Sequence, residues 1–85
     1  MLRLAAAQDE VFLADPPGMA GREVIFEFRQ VGGSVKVSAI DVATQVEIAV
    51  VVPAGAPEAA MRAQALRRLA FVLERRQRGE GRNQG

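Results

Sequence analysis

The segment EVIFEFRQVGGSVKVSAI, residues 23 to 40, leaves its chain few folds to choose from. From Glu23 onward Val24, Phe26 and Phe28 alternate with Ile25, Glu27 and Arg29, which is the two-residue period of a half-buried strand. Gly32-Gly33 then supplies a two-residue loop, whose positive φ angles glycine takes at little cost. A loop that short fixes the register. Val31 faces Ser34, Gln30 faces Val35, Arg29 faces Lys36, Phe28 faces Val37 and Phe26 faces Ala39. The pairing sets two like charges, Arg29 and Lys36, directly opposite one another.

A second turn is expected in DVAT, where Asp41 can accept hydrogen bonds from the backbone ahead of it. A four-residue loop there pairs Ala39 with Val46, Val37 with Ile48 and Val35 with Val50, and the third strand, VEIAVVV, ends at Pro53. After a Pro- and Gly-containing loop the pattern turns helical. Pro57 suits the first helical position, Glu58 the positive end of the helix dipole and the arginines from Arg75 onward the negative end. Met61, Ala65, Leu66, Leu69, Val72 and Leu73 fall on an arc of about 140°, which should cover the Val24, Phe26 and Phe28 side of the sheet.

The fold predicted is therefore α+β: a three-stranded antiparallel β-meander packed against one C-terminal α-helix (β-β-β-α), spanning residues 22–77. Residues 1–21 read as a flexible or weakly docked segment in which Leu2 to Leu13 admits a short helix before DPPGMAG breaks it. Residues 78–85 carry no apolar side chain and read as a disordered tail.

Composition removes several functions. The 85 residues make one small domain, for which oligomerisation is a reasonable source of added stability. There is no Cys, His, Trp or Tyr. Thiol and imidazole chemistry are thus lost together, with the usual zinc and iron ligand sets. No catalytic, cofactor-binding or metal-binding residue stands out, and neither enzymatic activity nor a cofactor is expected. No apolar run approaches the roughly 20 residues that cross a bilayer, and Asp9 and Glu10 interrupt the N-terminal Ala-rich stretch. A cytoplasmic protein without membrane contact is the expectation.

Three exposed features call for a reason. On the uncovered sheet face the expected register puts Glu27 beside Arg29, Glu47 diagonal to Lys36, and Ser38 between the two acids. Diagonal neighbours can then offset the like pair, and the plain reading is a solvated charged face. The sharper one makes Arg29 and Lys36 an anion or nucleic-acid contact, which Glu27 and Glu47 oppose. Seven Arg against three Glu after residue 56 give the C-terminal part a charge of +4. Helix-end compensation accounts for much of that, and no stacking aromatics accompany it.

The second feature is the third strand, which stops alternating after Glu47 and is apolar on both faces. Ala49 and Val51 join Ile25, Ile40 and Val31 on the face away from the helix. An apolar, uncharged edge strand invites pairing unless something covers it. The N-terminal segment, a second copy of the chain or an unidentified protein partner donating a strand could do so. A homodimer is the commonest arrangement among small soluble proteins. The third feature is Phe71, opposite the apolar arc among Gln64, Arg67, Arg68 and Arg75. It is either an interface anchor or a lone aromatic shielded by arginine stems.

The run VIFEFRQVGGSVKVSAID, with the following strand and the ALRRLAFVLERR helix, resembles a family of very short uncharacterised alphaproteobacterial proteins. Its members read FEFRQ-G-S-VKV-AID and then A-RKL-YVL. The resemblance covers Glu23 to Arg76 and implies a β-β-β-α domain with no assigned activity or site. Members commonly show Gly in the second turn, where this chain has DVATQ. Some carry a serine hydroxymethyltransferase label, but that chemistry needs a lysine Schiff base to pyridoxal phosphate in a large enclosed site. Lys36, the one lysine here, sits on a strand of a domain too small to enclose it. The function expected is a non-enzymatic interaction or accessory module, self-associating through the third strand (Ala49, Val51) or the helix (Phe71, Arg67, Arg68, Arg75). The alternative is nucleic-acid binding through the open sheet face and the Arg-rich helix.

Overall fold

The computed structural model describes residues 10–13 and 19–80. Strands β1 (Glu10–Leu13), β2 (Glu23–Val31), β3 (Ser34–Asp41) and β4 (Glu47–Pro53) form one antiparallel sheet in the order β1-β2-β3-β4. Helix α1 (Glu58–Arg75) packs on one face of it, over β3 and β4. The meander backed by a C-terminal helix is what the alternation and the helical arc require.

The first hairpin has the expected register at every pair, Arg29 opposite Lys36 included. Gly32 alone of its two turn residues takes a positive φ, at 60°, which marks a type II′ turn matched to the right-handed twist of the strands.

β4 sits two residues further along than expected: Ala39 pairs with Ile48, Val37 with Val50 and Val35 with Val52. The cause lies at Asp41. It stays within β3, its N–H donating to the Val46 carbonyl at 2.9 Å, so the four-residue loop moves one position later, to 42–45. Because the slip is even, every side chain keeps its face and the core is unchanged. The loop closes with the Gln45 N–H donating to the Asp41 carbonyl at 2.7 Å, and Gln45 takes φ 66°, a left-handed conformation that disfavours a side chain. Gln45 thus occupies the conformation that a glycine in this turn would take without strain. Gln45→Gly should therefore stabilise the fold by about 0.5 kcal/mol, relief of strain outweighing the added freedom of the unfolded chain. Urea denaturation checks the sign, and a destabilised variant would mean that the Gln45 side chain, whose Nε2 donates to the Val42 carbonyl at 2.9 Å, matters more than the strain.

The N-terminal segment also departs from expectation. Residues 10–13 form strand β1 rather than the end of a helix, with Val11 opposite Ile25 and Phe12 opposite Val24. A β-prone Val-Phe-Leu run beside the edge of β2 gains ladder hydrogen bonds that an isolated short helix lacks. The remaining expectations for residues 1–9 and 14–18 lie outside the described residues. Before β2, the Arg22 N–H donates to the Met19 carbonyl at 3.1 Å, and Gly21 takes φ 81° at the third position. This type II turn requires its glycine. It sends Met19 into the core, where Val24, Phe26, Val37, Ala39 and Val52 meet Met61, Ala65, Leu66, Leu69 and Leu73 of α1.

Val72, at the rim of the expected arc, is half-buried. Pro57 stands one position earlier than expected, as the N-cap, and its carbonyl accepts from the Met61 N–H at 3.1 Å. The chain passes Gln77 in a wider π-helical turn, Arg76–Glu80. The rest of the expected tail, 81–85, lies outside the described residues.

Candidate assembly surface

Hydrogen bonding across β3 and β4 fixes which backbone groups of β4 face outward. The Ala54 N–H donates to the Gly33 carbonyl at 2.9 Å, just as Asp41 donates to Val46 eight residues away on β3. In an antiparallel ladder such bonded pairs recur at every second residue, so Val52, Val50 and Ile48 exchange their bonds with β3. Glu47, Ala49 and Val51 must then turn their N–H and C=O groups away from β3. Pro53 offers only a carbonyl. Their side chains lie on the face away from α1, where Ala49 is exposed and Val51 is 68% exposed. β4 is a sheet edge among the described residues, and β1 pairs with β2 on the far side. The described part of the N-terminal segment therefore leaves β4 uncovered.

The two-residue slip changes the open-face electrostatics. Lys36 stands between Arg29 and Val51, Ser38 between Glu27 and Ala49, and Glu47 lies opposite Ile40 near the far end of β3. Glu47 is thus not diagonal to Lys36, and only Glu27 remains close to the like pair. Arg29 and Lys36 are exposed and form no ion pair among the described residues. The exposed apolar side chains Val31 and Val51 flank them at the Gly32 end of the sheet.

On α1, Phe71 is 48% exposed and lies two residues from the fully buried Leu69, which turns it away from the sheet. The Arg68 and Arg75 guanidiniums stand 5.6 Å and 5.5 Å from its ring centroid, three residues before and four after it, so both can contribute cation–π attraction. Arg67 is exposed beside them. The structure brings Phe71, Arg68 and Arg75 together, and it separates them from Arg29 and Lys36 by the full thickness of both layers.

One polar cluster escapes the sequence reading. The Asp41 side chain has no exposed surface, and its Oδ2 accepts from Arg22 Nη1 at 3.0 Å, the Thr44 N–H at 3.0 Å and Thr44 Oγ1 at 2.6 Å. Burial pushes this carboxyl up. The Thr44 hydroxyl and amide and the Arg22 guanidinium outweigh that and hold it below its ordinary value of 3.8. Asp41 followed by Thr44 is a local turn signal, whereas Arg22, 19 residues away, leaves none. The cluster ties the turn before β2 to the turn before β4.

Among the described residues no group of three or more acidic side chains could hold a metal ion, and no helix is long and apolar enough to cross a membrane. A family model, Domain of unknown function (DUF6898), matches residues 21–76, from the turn glycine before β2 to the end of α1. No curated protein and no solved structure matches the chain.

Proposed function

The chain belongs to the DUF6898 family, and we propose that it is a small interaction or accessory module without catalytic chemistry, which associates with a second copy of itself through the β4 edge in the bacterial cytoplasm. The observation that carries this reading is the outward-facing backbone of Glu47, Ala49 and Val51, bordered by an exposed valine and by no charge beyond Glu47. Such an edge recruits a strand, and a second copy supplies one of identical pattern at matching concentration. The arginines on the two sides of the molecule do not favour the nucleic-acid alternative. A groove lined by Arg29 and Lys36 together with Arg68 and Arg75 would need them on one surface, and the sheet and helix lie between them.

Val51→Glu tests the proposal. A charge on the strand edge opposes pairing, while the exposed position opposite Lys36 accommodates a carboxylate and leaves the fold within about 0.5 kcal/mol of the wild type. Light scattering coupled to size exclusion should give a dimer for the wild type and a folded monomer for the variant. A wild type that stays monomeric across the concentration range would refute self-association.

A further inference from the structure

We infer that the two β4 strands join antiparallel with Ala49 opposite Ala49 of the partner, so that Glu47 lies across from the partner's Val51 and reaches the partner's Lys36. The inference rests on the proposed self-association and specifies its register.

Hydrogen-bond supply selects this register. The outward groups belong to Glu47, Ala49 and Val51, and Pro53 has no N–H to give. With Ala49 on the two-fold axis, Glu47 meets the partner's Val51 in both directions, and every outward N–H and C=O from Glu47 to Val51 finds a mate. Placing Val50 on the axis sets Glu47 against the partner's Pro53, leaving a Glu47 carbonyl bare in each copy. Placing Val51 there moves the same defect to Ala49 and carries Glu47 out of the paired span. Slipping the other way, to Ile48, sets Val51 against the partner's Gln45, which has left the extended conformation at φ 66°.

Charge agrees with that choice. Across the joined sheet the open-face row reads Arg29, Lys36 and Val51 of one copy, followed by Glu47 and Ile40 of the other. Lys36 and the partner's Glu47 are then about 10 Å apart at Cα, one close pair plus one hydrogen-bonded pair, a span that the two long side chains close over Val51. The lysine stem covers the exposed valine, and its ammonium, which forms no ion pair among the described residues, meets that carboxylate. The like pair of Arg29 and Lys36 thereby gains a counter-ion. Ala49 on the axis lets the strands approach with no bulky side chain between them.

The test is a charge exchange read by the concentration dependence of dimerisation. Glu47→Lys and Lys36→Glu each set like charges against one another at two symmetric places, and each should raise the dimer dissociation constant about tenfold. The variant carrying both should return to within about threefold of the wild type. In a second measurement, Ala49→Cys gives a chain with a single thiol at Cα atoms about 5.5 Å apart in this register, within disulfide reach. Under mild oxidation it should cross-link at least about tenfold faster than Val31→Cys, at the far end of β2. A wild-type monomer would overturn the self-association reading itself. A wild-type dimer whose single charge variants are unaffected or not rescued by the exchange, or whose Ala49→Cys variant cross-links no faster than Val31→Cys, would leave that reading standing and overturn this register.

Discussion

Asp41→Ala should lower the stability of the fold by about 3 kcal/mol at neutral pH, because it removes a buried carboxylate that accepts three hydrogen bonds and leaves the turn amide and hydroxyl of Thr44 without their acceptor. Asp41 has no exposed side-chain surface, and three donors converge on its Oδ2. For a domain of this size the melting temperature should fall by at least about 12 °C. The loss should itself depend on pH. The folded carboxyl titrates below its ordinary 3.8, so its contribution is complete above that value and is lost as pH falls through the lower folded value. Urea denaturation of the wild type and Asp41→Ala at pH 7 and again near pH 3 tests both parts. The gap between them should narrow in acid. A loss below about 1 kcal/mol at pH 7 would show that the turn is held by its backbone bonds alone.

The same cluster shows why part of this molecule is legible in its sequence and part is not. The β2–β3 register follows from two glycines and a strict alternation, all within one short segment, and local signals of that kind survive folding. The β3–β4 register depends on whether Asp41 belongs to the strand or to the turn. Among the groups that hold Asp41 is Arg22, 19 residues upstream, which gives no local sign. The exposed edge was readable because a run apolar on both faces must expose one of them. The position of Glu47 was not, since it moves with the register. β1 was hidden for another reason: an Ala-rich stretch carries helical propensity, while a strand beside β2 draws its stability from tertiary pairing. Of the candidate residues, Phe71, Arg68 and Arg75 do cluster. Ala49 and Val51 share an edge, and Arg29 and Lys36 stand opposite one another beside it, with no ion pair among the described residues.

Phe26→Ala should be the most damaging single change in the core, costing about 4 kcal/mol, whereas Phe28→Ala should cost about half of that or less. The two rings share a face of β2, 6.4 Å apart and inclined at 29°, yet their surroundings differ. Phe26 is fully buried between the sheet and α1. Phe28 lies at the rim, half-buried, with the Arg62 guanidinium 5.7 Å from its centroid. Truncating Phe26 opens a cavity that neighbours in a packed strand cannot fill, while water and the arginine stem can follow a truncated Phe28. A domain of this length holds only about 4 to 13 kcal/mol in all, so Phe26→Ala should leave a large unfolded fraction and lose the proposed dimer with the fold. Denaturant titration coupled to light scattering separates this from Val51→Glu, which should lose the proposed dimer and keep the fold. Equal losses for the two phenylalanines would mean that α1 covers β2 as fully as β3 and β4, and that the rim assigned to Phe28 belongs to the core.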